Sequence, residues 1–201
     1  MTSSTSPFVL VPGYWLGEWA WQTVQARLEQ LGHPTNALTL PGLESTAARR
    51  DGVTFADHVN CVAAAVGALP APVVLVAHSG AGAVATAVAD RMPASLARVV
   101  YVDSGPVPDG HVPRPDVSAD QIELPVPGFD DLVADGASID GLSDGDRRRF
   151  RALAVPHPAG AVREQVRLHD DRRNLVPTTL VCCSIASEQV RALVTSAMPM
   201  F

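Results

Sequence analysis

Short apolar runs alternate with longer, helix-forming segments along most of the chain. The runs are rich in Val, Leu and Ala and end at Pro, Gly or a polar residue, which is typical of buried parallel strands. The predicted strands are 8–11, 35–40, 73–77, 98–102 and 178–183, and the predicted helices are 18–31, 55–69, 79–91 and 187–197. Strands separated by such helices predict an α/β fold, with a mostly parallel sheet and helices on both faces.

Residues 104–176 interrupt this alternation. The segment begins with prolines at 106, 108, 113, 115, 125 and 127 and continues with sequence typical of two or three short amphipathic helices. A long insertion between core strands is usually functional, so we expect a helical lid or cap on a core formed by 1–103 and 177–201. The alternative is a loosely ordered surface excursion.

Composition and charge narrow the possible functions. With 47 % hydrophobic and 18 % charged residues, the 201-residue chain is typical of one globular domain, and no apolar run is long enough to span a bilayer. The first residues lack an export signal, so a cytoplasmic location is expected. The net charge of −6 argues against nucleic acid as a partner.

The arginines Arg147, Arg148, Arg149 and Arg151 are expected to form a solvated helix face. Every basic residue is Arg and none is Lys, which hints at a GC-rich, bacterial genome.

The first candidate for chemistry is Ser79, which lies where a predicted strand meets a predicted helix. A serine nucleophile on such a turn needs small residues two positions before and after it, and Ala77 and Ala81 occupy those positions. The backbone N–H of Gly80 then begins a helix, whose dipole favours negative charge there. We therefore predict that Ser79 is a nucleophile and that Gly80 N–H is one donor to an oxyanion.

The loop after the first predicted strand is the second candidate. It reads Pro-Gly-Tyr-Trp from residue 12, and in a parallel sheet it emerges at the same carboxyl edge as Ser79. The backbone N–H of Tyr14 is therefore predicted to be the second oxyanion donor, with Gly13 allowing the chain to turn.

In combination these motifs resemble the small α/β-hydrolase superfamily, in the branch of plant methylesterases, hydroxynitrile lyases and bacterial esterases. The resemblance rests on the loop at 12–15, on Val-Leu-Val-Ala-His-Ser-Gly-Ala-Gly at 74–82 and on Val-Tyr-Val-Asp-Ser-Gly-Pro-Val-Pro-Asp-Gly at 100–110. It implies an α/β-hydrolase fold and a catalytic triad. The chain departs from the family in two places: Pro12 stands where the family commonly has His, and no Asp follows the strand 178–183.

The resemblance implies that Asp103 is the acid of the triad, because some members of the superfamily carry their acid at the strand that Asp103 ends. Two alternatives remain open. Glu188 is a reserve acid inside a predicted helix, and Asp103 could instead cap only the turn that follows it.

No histidine of the sequence is clearly placed as the third member of the catalytic triad. The resemblance implies a histidine after a last strand, yet neither a strand nor a histidine follows the helix 187–197. The histidines of the chain are His33, His58, His78, His111, His157 and His169. His33 is expected at a helix end, and His58 on a helix remote from the carboxyl edge. His78 is expected to face away from the Ser79 oxygen. His111, His157 and His169 lie in the insertion and are more typical of surface or packing residues. Two hypotheses follow: the base lies in sequence beyond Phe201, which we favour, or the protein is a relative that has lost catalysis.

These expectations describe a serine hydrolase that cleaves an ester, thioester or lactone of a mainly apolar small molecule. A histidine would deprotonate Ser79, the Gly80 and Tyr14 N–H groups would hold the oxyanion, and Asp103 would orient the histidine. Neither a metal nor an organic cofactor is required, and no cluster has metal-ligand spacing. Hydroxynitrile-lyase-like C–C cleavage and an inactive ligand-binding protein are the alternatives. With the C-terminal strand apparently absent, the edge at 178–183 makes a homodimer possible.

Overall fold

A five-stranded parallel sheet forms the frame of the molecule. The computed structural model describes residues 5–70, 72–184 and 186–195. Its strands are β1 (Phe8–Val11), β2 (Thr35–Ala37), β3 (Val73–His78), β4 (Leu96–Val102), β5 (Glu123–Leu124), β6 (His157–Pro158) and β7 (Thr178–Val181). The large sheet has the order β2-β1-β3-β4-β7, and every pairing in it is parallel. Strands β5 and β6 form a separate antiparallel pair.

Helices connect the strands and cover the sheet. They are α1 (Gln22–Gln30), α2 (Phe55–Gly67), α3 (Gly82–Arg91), α4 (Phe129–Ala134), α5 (Asp144–Leu153), α6 (Gly160–Arg163) and α7 (Ser187–Thr195). Short 3-10 turns at Glu18–Trp21 and Ser79–Ala81 precede α1 and α3. Within the described ranges, none of these helices has the length and apolar character that crossing a bilayer requires.

Alternate residues of the central strands face opposite sides of the sheet, as the pleat of a strand requires. Val9 of β1 belongs to the main core, together with Val62 of α2 and Val88 of α3, and all three are fully buried. The next residue of the same strand, Leu10, packs on the other face beside Trp21. Both faces of the sheet are therefore covered, which confirms the α/β fold that the sequence predicted.

Most predicted elements lie where the periodicity placed them, with differences at their ends. The Thr54 and Asp57 side chains form the capping box that begins α2. The strand predicted at 35–40 ends at Ala37, and the one predicted at 178–183 ends at Val181. The helix predicted at 187–197 is observed through Thr195, and its last two residues lie outside the described part of the chain.

The segment 104–176, called the inserted segment below, contains α4, α5, α6 and the β5–β6 pair. It is tied to the rest of the molecule by hydrogen bonds of three charged side chains, of which Arg50 and Asp90 are buried and Glu164 is exposed. The Arg50 guanidinium, 7 % exposed, donates to Pro156 O at 2.7 Å and also to three carbonyls of its own loop. Asp90 of α3 accepts hydrogen bonds from the backbone N–H groups of His169 and Asp170, both at 2.8 Å. Glu164 Oε2 accepts from Phe55 N at the start of α2, at 3.1 Å.

Candidate active site

Each of three neighbouring strands, β1, β3 and β4, is followed at its carboxyl end by a residue with left-handed backbone dihedral angles. Ser79 directly follows β3 with φ of 51°, Asp103 directly follows β4 with φ of 50°, and Trp15, in the loop after β1, has φ of 65°. This conformation costs an L-residue roughly 1–2 kcal/mol. Strain of this kind persists where surrounding structure imposes it, and it clusters at functional sites. The carboxyl edge of the sheet is therefore the candidate site.

The turn at Ser79 is as crowded as a strained strand-to-helix turn requires. A Cβ at Gly80 would lie 2.2 Å from the ring of Tyr14, and a Cβ at Gly82 would lie 2.2 Å from Ser104 Oγ. Ala77 and Ala81 are buried, so larger side chains have no space at those positions either. Ser104 Oγ also donates to Ser79 O at 2.7 Å. Ser79 itself is exposed toward the cavity described below.

The loop that carries Tyr14 lies directly against this turn. A Cβ at Gly13 would lie 2.9 Å from His78 Nδ1 and 3.1 Å from Ser79 Cβ. Burial raises the pKa of the Tyr14 phenol to about 12, so the side chain stays protonated and neutral. Among the described residues, no hydrogen-bond acceptor is found for the backbone N–H of Tyr14. The structure thus brings Tyr14, Gly80 and Ser79 together at one edge of the sheet. The roles of Ser79 as nucleophile and of the two N–H groups as oxyanion donors stay predictions.

Asp103 faces the loop that follows β7. Its Oδ1 accepts hydrogen bonds from Cys183 N at 3.1 Å and Ser184 N at 2.7 Å, and its Oδ2 accepts from Ser184 Oγ at 2.6 Å. The carboxylate therefore bridges two adjacent strand ends and borders the same cavity as Ser79. Glu188, the alternative acid, lies exposed in the first turn of α7. The triad role of Asp103 stays a prediction.

His78 is the one histidine among the described residues that lines the cavity with Ser79. It ends β3, and its ring packs edge-on against Trp21, with ring centroids 6.3 Å apart. Burial lowers the pKa of His78, and the negative charge of Asp103 partly opposes this effect. His58 and His157 are fully buried beneath the loop that carries Tyr14. No general base is therefore assigned among the described histidines.

A cavity of about 430 Å³ opens at Ser79. Its wall combines the β1 loop with α4, α5 and their connection, and it is mainly apolar. The larger apolar lining residues are Trp15, Leu16, Trp19, Trp21, Val24, Val102, Phe129, Leu132, Ile139, Leu142 and Phe150. The volume and lining suit a small, largely apolar molecule. No group of three or more His, Cys, Asp or Glu in the described ranges could hold a metal ion.

Of the four arginines of α5, Arg148 and Arg151 are exposed, as the sequence predicted, while Arg147 and Arg149 are partly buried. The guanidinium of Arg147 lies 5.5 Å from the ring centroid of Phe129, and that of Arg151 lies 4.9 Å from it. Arg149 lies over the Trp19 ring at 5.7 Å, donates to Trp19 O at 3.1 Å and also bonds Gln22 Oε1. Arg149 thereby joins α5 to the opposite wall of the cavity. Sequence patterning could not predict this, because the partners are about 130 residues apart.

Comparisons with known proteins agree with this geometry. The sequence profile of the alpha/beta hydrolase family matches residues 8–200. An esterase from Oryza sativa is 36 % identical over 105 residues, which are 50 % of this chain and 39 % of the rice protein. A carbendazim-hydrolysing esterase from Nocardioides is 35 % identical over 99 residues, 48 % of this chain and 41 % of that protein. The matched stretch thus spans about two-fifths of the length of these curated relatives.

A solved structure shows the same fold over nearly the whole chain. A methylesterase from Arabidopsis superposes with a TM-score of 0.75 at 16 % identity, covering 97 % of this chain and 87 % of that one. This superposition supports the fold. The family profile and the two curated esterases confirm the resemblance to small esterases that the sequence motifs indicated.

Proposed function

This chain belongs to the alpha/beta hydrolase family, and from that membership and the geometry at Ser79 we propose that it is a serine esterase. Its substrate would be an ester, thioester or lactone of a mainly apolar small molecule. The observation that carries the proposal is the left-handed Ser79 at a strand-to-helix turn, exposed to an apolar cavity of about 430 Å³. A serine held in this way presents its Oγ to a carbonyl at the top of the sheet.

The proposed chemistry is acyl transfer. Ser79 Oγ attacks the ester carbonyl as a base takes its proton, and the backbone N–H groups of Gly80 and Tyr14 stabilise the oxyanion. The alcohol leaves with a proton, and water then releases the acid from Ser79. Asp103 is proposed to orient the imidazole that serves as base, from its position at the end of β4.

The inserted segment is proposed to act as a lid. Phe129, Leu132, Ile139, Leu142 and Phe150 line the cavity opposite the β1 loop. Apolar side chains at these positions would exclude water from the acyl-enzyme and would select apolar acyl or alcohol groups.

The test is labelling by a fluorophosphonate, followed by peptide mass analysis. Label on Ser79 supports the proposal, whereas label on another residue contradicts it. Ser79→Ala should abolish labelling. In a form of the protein that contains its base, the same substitution should lower ester turnover on the order of a millionfold. The matched control is Ser118→Ala, because Ser118 is exposed and is not among the residues that line the cavity at Ser79.

A second arm supplies the base chemically. Added imidazole should increase p-nitrophenyl acetate turnover by the unmodified chain above the imidazole background that Ser79→Ala defines. Such rescue would show that Ser79 and its donors are competent and that the chain lacks its own base.

An inactive ligand-binding protein is the second candidate function. It is favoured by the observation that, within the described ranges, only His78 lines the cavity beside Ser79. Binding of an apolar dye, with neither labelling nor imidazole rescue at Ser79, would support this alternative.

A further inference from the structure

Trp15, the neighbour of Tyr14, is held by three hydrogen bonds, and all of them go to the inserted segment. Its backbone N–H donates to His157 Nδ1 at 3.3 Å, and its carbonyl accepts from Val155 N at 3.0 Å. Its indole Nε1–H donates to Leu124 O at 3.3 Å. His157 and Leu124 are themselves paired in the β5–β6 ladder. The left-handed Trp15 is thus fixed by a segment more than 100 residues away in sequence.

His157 is the side chain in this clamp. It is 2 % exposed, and its ring centroid lies 4.6 Å from that of Tyr14, whose ring in turn lies against Gly80. The imidazole therefore contacts both residues of the loop: it accepts from the Trp15 backbone through Nδ1, and it packs on the Tyr14 ring at an interplanar angle of 52°. A shift of this ring would move the backbone N–H of Tyr14 relative to Ser79.

The hydrogen bond also defines the protonation state of His157. An imidazole nitrogen that accepts a hydrogen bond carries no proton, so the neutral ring must be protonated at Nε2. Burial, together with the nearby His58 ring and the Arg50 guanidinium, holds the pKa of His157 well below its usual value. The ring is therefore neutral at pH 7, and the Nδ1 lone pair is available to Trp15.

We propose that His157 is a positioning residue that aligns the oxyanion-binding N–H of Tyr14 by holding Trp15 through Nδ1. The inference rests on the proposed function, because it assigns a purpose to the N–H of Tyr14. His157 acts through the loop and does not touch the substrate. The inserted segment would then have two roles. It would cover the cavity, and through His157 it would hold the loop that carries the oxyanion-binding N–H of Tyr14.

Two substitutions separate the role of Nδ1 from that of ring volume. His157→Asn places a carbonyl oxygen near the position of Nδ1, whereas His157→Gln places its polar group near the position of Nε2. Phenylboronic acid is the probe, since its tetrahedral adduct with Ser79 puts a negative oxygen between the two N–H groups. Nile red is the control ligand, because it is neutral and requires only the apolar cavity.

We expect His157→Gln to weaken phenylboronic acid binding about tenfold, which is less than the loss of a whole oxyanion donor. Nile red binding should stay unchanged in both variants, and His157→Asn should restore most of the boronate affinity. Titration calorimetry gives the affinities, and ¹¹B NMR identifies the tetrahedral adduct, with Ser79→Ala as the blank. Equal boronate affinity in the unmodified chain and in His157→Gln would overturn the proposal.

An independent measurement needs no variant. The ¹⁵N NMR spectrum of the unmodified chain should show His157 protonated at Nε2, with slow hydrogen exchange at Trp15 N–H. A proton on Nδ1 would refute the clamp, whatever the chain does to esters. If the unmodified chain binds Nile red but forms no boronate adduct, the proposed function fails. In that case the tautomer alone decides whether His157 holds the loop.

Discussion

At Ser79, chemistry and stability make opposite demands on one residue. The side chain must be a serine to act as a nucleophile, yet φ of 51° is a conformation that favours glycine. The hydroxyl is thus held in place at a cost to the folded state.

The strain at Ser79 predicts an order of stability among variants. The free energy of unfolding of Ser79→Gly should be about 1 kcal/mol higher than that of Ser79→Ala, because glycine adopts the left-handed region without the Cβ penalty. Thermal or urea denaturation of the two inactive proteins measures the difference. The same pair at Ser118, where φ is not positive, should show no advantage for glycine. A more stable Ser79→Ala would contradict the strain argument.

Gly80 offers a second test at the same turn. Gly80→Ala should displace the Tyr14 ring, because the added Cβ would lie 2.2 Å from it. We expect lower stability and loss of fluorophosphonate labelling at Ser79. Gly67→Ala is the matched control: no atom lies within 4 Å of its added Cβ, and alanine at this helical position should be neutral or slightly stabilising. Labelling of Gly80→Ala at the normal rate would show that the crowding is relieved cheaply.

Sequence reasoning located Ser79 and Gly80 because their signal is local, a strand end followed by a small-residue helix start. Asp103 and Tyr14 could be placed at the same edge because parallel strands share it. The sequence could not predict that Ser184 donates hydrogen bonds to Asp103, or that the Tyr14 ring packs against Gly80. Both contacts depend on how separate loops are positioned relative to one another in space.

At the scale of elements, α5 shows what periodicity misses. The helix presents charged residues along most of its length, so the pattern predicted a solvated face. The guanidinium groups of three of its arginines also contact aromatic rings, two of them Phe129 of α4 and one of them Trp19 in the turn before α1. The β5–β6 pair was also not predicted, because two-residue strands that include Pro158 carry no alternation to detect.

The bridge made by Arg149 should control how well the cavity holds an apolar ligand. Arg149→Ala removes the contact with the Trp19 ring and the bond to Trp19 O, so α5 loses its attachment to the opposite wall. We expect Nile red to bind about fivefold more weakly, which corresponds to roughly 1 kcal/mol. Arg148→Ala, at an exposed position of the same helix, is the control. Equal dye affinity in both variants would count against a bridging role.

For the whole molecule, burial lowers the pKa of four histidines, and His58, His78 and His157 are more buried than His111. Burial lowers the pKa of His58, His78 and His157 below 6.5. Below that pH the unfolded chain takes up protons at these sites and the folded protein does not, so the free energy of unfolding falls as pH falls. Each such histidine contributes at most about 1.4 kcal/mol per pH unit, until pH reaches its pKa in the folded protein.

The expected result is a decline in thermal stability that begins near pH 6.5, well above the range in which exposed carboxylates titrate. His58→Gln should reduce the slope of stability against pH by the contribution of one histidine, because it removes one ring that takes up a proton on unfolding. The glutamine amide can still donate to Pro41 O, which lies 3.0 Å from His58 Nε2, so the substitution should not disturb the fold otherwise. A melting temperature that is flat from pH 7 to pH 5 would show that the buried rings accept protons without cost.

The buried ties of the inserted segment bear on how this protein could be recombined with its relatives. A chimera that exchanged residues 104–176 for another cap would leave Arg50 without Pro156 O and Asp90 without two of its backbone donors. Unpaired buried charges are among the most destabilising defects a fold can contain. Successful transplants would therefore have to carry Arg50 and Asp90 with their partners, so that the unit of exchange is a network of contacts and not a contiguous stretch of sequence.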